Sequence, residues 1–245
     1  MNDPLSPLVA VPAVAEAAAA AREALAKVHR HPANRREWRA TATESSLRGA
    51  RASAALDGAA VALSRDELIN DPVLAGSMRA YQAIDGDMLD ASVGVWRRAP
   101  LQVLARLHTL AAADLVDGDD SRLGRPRPGT GGRLGLLAQL VTGGTEAPAP
   151  VVAAIVHGEL LSLRPFEVAD GVVARAASRL VTVASGLDPH ALGIPETTWL
   201  KFAPSYADAA DAFGMGEPDG VVAWVVLCCQ ALEAGGLEAL ALAER

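Results

Sequence analysis

The chain has 245 residues, enough to bury a large core without disulfides or metals. Hydrophobic residues make up 51% of it but aromatics only 4%, a bias toward Ala, Leu and Val that suits close-packed helices and argues against a β-sandwich. With 22 basic and 29 acidic side chains the net charge is −7, and no basic stripe recurs at helical spacing, which excludes sequence-independent nucleic-acid binding.

In chain order, an Ala-rich helix is predicted over residues 12–28 and ends at His31-Pro32, because the residue before proline is pushed out of helical geometry. A second helix spans residues 34–56, with Trp38, Ala42, Ser45, Leu47 and Ala52 near one face and Gly58 as its stop. Ser64 and Glu67 form a capping box. Asp71-Pro72 places an N-cap before a first-turn proline and starts a helix through Met78 and Tyr81 that Asp85-Gly86 interrupts. Pro100 opens the next, with Leu101, Leu104, Leu107, Leu110, Ala111 and Leu115 on one apolar face.

Residues 117–132 are rich in Gly, Pro, Asp and Arg without apolar periodicity and read as the longest loop. Pro148 and Pro150 introduce the most apolar helix, 151–163. After a loop at 165–169 another helix runs 171–184 and stops at Gly186. Closing helices start near Pro195 and Asp219. The class is all-α, as one domain over 1–245 without internal repeats.

The apolar run 221–229 falls well short of the roughly 20 residues needed to cross a bilayer, so a buried helix and no membrane contact are expected. The first residues, Met1-Asn-Asp-Pro-Leu5, carry no basic segment followed by an apolar one, so the expected location is cytoplasmic. Cys228 and Cys229 are adjacent, where a disulfide is strained and metal-ligand spacing is absent, and read as buried thiols. No metal site is expected: His108 and His157 sit on apolar helices and read as packed core histidines, and His31 and His190 flank prolines as loop residues. Asp117 and the acidic residues after it lack calcium-loop spacing and read as a solvated turn.

The stretch that joins the two central helices, Arg164-Pro-Phe-Glu-Val-Ala-Asp-Gly-Val-Val-Ala-Arg175, resembles without a gap the signature loop of the Fic/Doc (Fido) family, His-Pro-Phe-x-Asp/Glu-Gly-Asn-Gly-Arg-x-x-Arg. Pro165, Phe166, Gly171 and Arg175 match. Arg164 stands for the histidine, Val168 for the acid, Ala169 for the first glycine, Asp170 for the asparagine and Val172 for the first arginine. Val103-Leu-Ala-Arg-Leu-His-Thr-Leu110, followed by Arg122, Arg125 and Arg127, resembles the family's Leu-His helix and flap-bearing segment. Ser53-Ala-Ala-Leu-Asp57-Gly58 resembles its inhibitory motif Ser/Thr-x-x-x-Glu-Gly. Together these segments span about residues 45–186.

The resemblance implies a Fic-like helical bundle, with a short β-hairpin flap as an option, and a reaction in which a target hydroxyl attacks the α-phosphate of ATP. The family's histidine is the general base, and an arginine cannot take that role because its guanidinium stays protonated. The family's acid holds magnesium, for which Val168 offers no oxygen. Asp170 is expected to cap the helix amides that would otherwise bind phosphate, and Val172 removes a phosphate-binding arginine. Arg175 and Asp57 survive as a pair, expected to form a buried or half-buried salt bridge that holds the Ser53 helix against the loop.

The leading expectation is therefore a Fido-domain pseudoenzyme with no intact catalytic set and no cofactor, acting through an unidentified protein partner or weak nucleotide binding. One alternative is an active nucleotidyltransferase of the protein-AMPylating type, using ATP and magnesium, whose displaced base is Asp170 or Glu167 with Arg164 as an electrostatic stabiliser. A second is a plain helical interaction module, with a homodimer as one arrangement.

Overall fold

The computed structural model describes residues 3–61, 70–117 and 121–244, which form twelve α-helices and, among the described residues, no strand. They are α1 (Ser6–Val9), α2 (Pro12–Arg30), α3 (Pro32–Leu56), α4 (Pro72–Gln82), α5 (Gly86–Trp96), α6 (Pro100–Ala112), α7 (Gly131–Gln139), α8 (Ala149–Leu163), α9 (Asp170–Ala184), α10 (Pro195–Lys201), α11 (Ala203–Met215) and α12 (Pro218–Ala243). The capping box at Ser64 and Glu67 lies outside the described residues, as does the acidic turn after Asp117.

Proline places many of these starts. Eight of the helices from α2 onward carry it in the first turn, where its missing N–H has no intrahelical acceptor to lose. Asp71 caps α4 as expected, its carboxylate accepting from the Val73 and Leu74 N–H groups at 2.9 and 3.1 Å.

The pair α8–α9 is the centre. Every residue of α9 from Val172 to Val183 is buried, so this helix has neighbours on all sides, and α3, α4, α5 and α6 supply them beside α8. A second cluster joins α2, α8, α11 and α12 around Trp224, Trp199 and Tyr206. Close crossings rest on small residues. A Cβ on Gly76 of α4 would overlap the carbonyl oxygen of Ala111 on α6. Gly76→Ala is therefore expected to cost about 1–3 kcal/mol, read as a lower urea midpoint at unchanged slope.

Several expectations need correction. The helix predicted over 34–56 begins at Pro32 and is kinked at Glu37 (φ −132°, ψ 38°), and Trp38 and Leu47 are only half-buried because its buried face is the small-residue stripe Ala42, Ser45, Gly49, Ala52 and Ser53. On α6 the buried stripe is rotated toward His108, which leaves Leu101 at 40% exposure, and the helix ends at Ala112, before Leu115. Helices α5 and α7 begin at the expected interruption at Gly86 and at the end of the expected loop, and otherwise cover residues for which no element was expected.

No hairpin flap forms over residues 121–130. Pro126 and Pro128 cannot donate to a ladder, and the segment instead turns back, with the Arg127 N–H donating to the Pro165 carbonyl at 2.7 Å.

The apolar run at 221–229 is only part of α12, whose 26 residues make it long and apolar enough, by length and composition, to cross a membrane. Here it packs chiefly along α2 and also touches α8, α10 and α11, burying Trp224, Val225, Cys228, Cys229 and Leu232.

Candidate functional site

The loop between α8 and α9 is held by an unusual backbone. Arg164, Glu167 and Ala169 all have positive φ (46°, 69° and 56°), a conformation that side chains with a Cβ adopt reluctantly. Arg164 ends α8 in that conformation, and its N–H donates to the Leu160 carbonyl at 3.0 Å. Its side chain is exposed. Arg127 ties the loop from the other side, donating through Nη2 to the Leu163 carbonyl at 2.8 Å and through Nε to the Arg164 carbonyl at 3.1 Å. Carbonyls at a helix C-terminus are the natural partners for a guanidinium.

Phe166 is buried and stacked on His108, with ring centroids 4.2 Å apart and planes within 5°. The His108 Nδ1 accepts from the Gly124 N–H at 3.0 Å, which puts the ring's proton on Nε2. Burial pushes the pKa of this histidine down to about 4, against the opposing influence of the Val168 backbone. His108 is therefore a neutral packing residue that clamps Phe166.

The sharpest departure concerns Asp170. The N-cap of α9 is Ala169, and no side chain caps it from that position. Asp170 is the first helical residue, and its Oδ1 turns back to accept from the Phe166 N–H at 2.9 Å, while Oδ2 has no hydrogen-bond partner. The positive φ at Ala169 swings the side chain toward the loop rather than the helix amides. Burial raises this carboxyl to about 6, against the Phe166 N–H and the charges of Arg164 and Arg127, which favour ionisation.

A pH dependence follows. Between about 3.8 and about 6 the folded chain binds the Asp170 proton more tightly than the unfolded chain, so stability falls as pH rises through that window. Asp170→Asn keeps the acceptor for Phe166 and removes the charge. It is expected to be roughly 1–2 kcal/mol more stable than the wild type at pH 8, with the difference gone by pH 4. Thermal unfolding across that pH range reads both effects.

The seat expected for Asp170 is taken by Asp57, at the end of α3. Asp57 Oδ2 accepts from the Val172 N–H at 3.1 Å, and a Cβ on Gly171 would overlap the carboxylate. A negative group at the N-terminus of a helix is favoured by free amides and the helix dipole. The lack of a side chain at Gly171 allows this approach. The other carboxylate oxygen, Oδ1, pairs with Arg175 Nη2 at 2.5 Å.

Arg175 is 1% exposed in its side chain and Asp57 23%, so the half-buried salt bridge expected between them is present. Arg175 also donates from Nε to Ser53 Oγ at 2.8 Å, from Nη2 to the Ser53 carbonyl at 2.9 Å and from Nη1 to Tyr206 Oη at 3.3 Å. Burial disfavours its charge, but Asp57 and the two tyrosines Tyr206 and Tyr81 outweigh that and hold its pKa above the usual value. Gly58, at φ 89°, closes α3 immediately beyond the pair.

Tyr206 was not recognisable from sequence, because nothing near it forms a motif. Its Oη accepts from Arg175 and so directs its proton to His157 Nε2, 2.8 Å away. That assignment leaves the His157 proton on Nδ1, facing Cys228 Sγ at 4.0 Å. Burial and the nearby Arg175 hold the His157 pKa well below its ordinary value, and burial raises Tyr206 to about 12. His157 is thus a neutral core residue.

The structure brings Ser53, Asp57, Gly171, Val172 and Arg175 together. It does not bring Arg164 into that cluster. Val172 is 1% exposed and faces the core, and Val168 is half-buried. The residues present do not fit a magnesium-bound nucleotide: the α9 amide position carries a carboxylate, and the position after Glu167 has no oxygen ligand. Among the described residues no three His, Cys, Asp or Glu side chains converge as a metal-binding group. Two cavities, of about 900 and 410 Å³, are lined by none of residues 164–175.

No family sequence model and no curated protein matches the chain. Among solved structures, a Fic family protein from Desulfovibrio desulfuricans G20 superposes with a TM-score of 0.74 at 17% identity, over 96% of this chain and 76% of that one. The all-helical arrangement of this chain, with α8 and α9 at its centre and α3 locked across the loop between them, is the fold of a Fic family protein.

Proposed function

We propose that the chain is a Fido-domain pseudoenzyme, a single domain over 1–245 that acts through contact with a protein partner rather than by transferring a nucleotide. The observation that carries this reading is the loop itself, where Arg164 and Val168 stand in place of a base and a metal-binding carboxylate, and the position of Asp57 supports it. Its carboxylate lies on the Val172 amide and pairs with Arg175, so the groups that would receive phosphates are already neutralised. Arg164, at the start of the loop, has no lone pair to accept a proton, and Val168 has no oxygen for magnesium. A hydroxyl nucleophile there would find neither a base nor a bridged phosphate.

One observation favours a second reading, an active transferase with Asp170 as base. This carboxyl is buried, has a free Oδ2 and a pKa near 6, which is the range a general base needs. Against it, the Asp57 carboxylate already accepts from the Val172 N–H, where a phosphate on the α9 amides would lie.

Thermal unfolding with ATP, GTP or CDP-linked compounds, with and without magnesium, tests the leading reading. The expected outcome is no magnesium-dependent rise in Tm for the wild type. A rise that requires magnesium and grows with nucleotide concentration would overturn it.

A further inference from the structure

We infer that α12 pairs antiparallel with α12 of a second copy of this chain, about a twofold axis level with Leu232, and that Leu237 of each copy packs over the cavity of about 410 Å³ beside α12 in the other. Of the 18-residue apolar stretch within α12, only 44% is buried. The side chains left toward solvent form a stripe of Ala223, Leu227, Gln230, Ala234, Leu237 and Ala241, at intervals of 4, 3, 4, 3 and 4 residues. That is the spacing of a seam at which one helix meets another. Leu237 is 51% exposed, Ala223, Gln230 and Ala241 are exposed, and Leu227 and Ala234 are half-buried.

The stripe is its own complement. Read from either end it has alanine first, leucine second, leucine fifth and alanine last, with the same intervals in both directions. A twofold contact between identical chains requires such self-complementarity. Antiparallel pairing sets Leu227 of one copy against Leu237 of the other, Ala223 against Ala241, and Gln230 against Ala234.

The cavity between α10, α11 and α12 gives the second copy's Leu237 a seat. Leu227, Gln230 and Ala234 of the stripe line it, together with the half-buried Thr198, the buried Trp199 and Tyr206, and Phe202, which is 53% exposed. Ala234 leaves unfilled what a larger side chain would occupy. Gln230 and its counterpart lie about 6 Å apart along the helices, so their amides can pair across the seam, and a polar pair at such a position fixes register. Glu233 flanks the axis and faces its own counterpart, a like-charge contact that holds the affinity down.

Lipid is a poor occupant. Helix α12 has no Lys or Arg and the chain carries a net charge of −7, whereas helices that lie on anionic membranes are basic on their polar side. From residue 223 to 241 the seam is about 27 Å long and buries on the order of 1,000 Å² in total, at the weak end of specific contacts. A dissociation constant of about 10 μM is expected. The pairing does not depend on the chemistry of the α8–α9 loop, so it stands or falls separately from the reading proposed above.

Sedimentation velocity of the full chain from about 1 to about 100 μM should show a monomer–dimer equilibrium in the wild type. Leu237→Glu should stay monomeric throughout at an unchanged Tm, since the side chain is exposed, and Glu233→Gln should tighten the dimer severalfold. Orientation is read by mixing Ala223→Cys with Ala241→Cys and adding a short bis-maleimide, the native thiols Cys228 and Cys229 being buried. The mixture should yield covalent dimer and either variant alone little, because identical positions lie about 27 Å apart along the seam. A wild type that remains monomeric, a dimer that survives Leu237→Glu or weakens in Glu233→Gln, or cross-linking of either cysteine variant alone as readily as of the mixture would overturn the inference. So would binding of the wild type to phosphatidylglycerol vesicles that is lost in Leu237→Glu, which would assign the face to lipid.

Discussion

Replacing Asp57 with alanine is expected to lower the unfolding free energy by about 3 kcal/mol, because it leaves the Arg175 guanidinium buried without a counter-charge. Ser53 and Tyr206 still accept from Arg175, but neutral oxygens do not replace a carboxylate in a region of low dielectric. The same substitution frees the Val172 amide and gives the α9 N-terminus an unpaired cation beside it. Inorganic sulfate should therefore stabilise Asp57→Ala beyond what it does for the wild type. Urea unfolding of both proteins, with and without sulfate, reads the two effects together. A loss below about 1 kcal/mol, or an equal response to sulfate, would show that the carboxylate does not occupy an anion seat.

Glu196→Ala should cost more, about 4 kcal/mol, since here both partners are inside. Glu196 is fully buried, its side chain pairs with Arg179 at 3.1 Å, and it accepts from the Tyr81 hydroxyl at 2.8 Å. Removing it strands a guanidinium that is 4% exposed and a phenol pointing at the same vacancy. Arg179 keeps a bond to the Ala191 carbonyl but has no partner for Nε. The pair fastens α9 and α10 against α3 and α4, and Gly49 of α3 leaves it room, because a Cβ there would come within 2.8 Å of Arg179 Nη2. Glu196→Gln, which keeps the shape and an acceptor for Tyr81, should lose clearly less. Equal losses for the two variants would mean that the charge contributes nothing.

What the sequence discloses of this molecule depends on whether a signal is local. Starts marked by Pro or Asp, at Pro12, Asp71, Pro100 and Pro195, are set by the chain's own backbone chemistry and were legible. Helices α5 and α7 were not, because Gly86 reads as an interruption and Gly131 and Gly132 as the end of a loop, and Gly94 and Gly135 lower helix propensity further, yet both helices pack against α6. The pairing of Asp57 with Arg175 joins residues 118 positions apart and was legible only through the resemblance of two segments to one family.

The role of Asp170 was misread for a geometric reason. Its place before Gly171 suggested a cap, but the cap position belongs to Ala169, whose positive φ turns the neighbouring carboxylate back to Phe166. Tyr206 escaped because its significance lies wholly in tertiary contact. It bridges Arg175 and His157 from a helix with no motif of its own.

The central claim is that losing the base and the metal ligand, and not merely the lock formed by Asp57, removes the transfer chemistry. The most direct measurement incubates Asp57→Ala, in which that lock is open, with α-phosphate-labelled ATP, magnesium and a cell lysate, and follows label on protein. The account predicts none above the level seen without the protein. Label that appears with Asp57→Ala and disappears on adding Asp170→Asn or Arg175→Ala would contradict it and establish a working transferase held shut by Asp57.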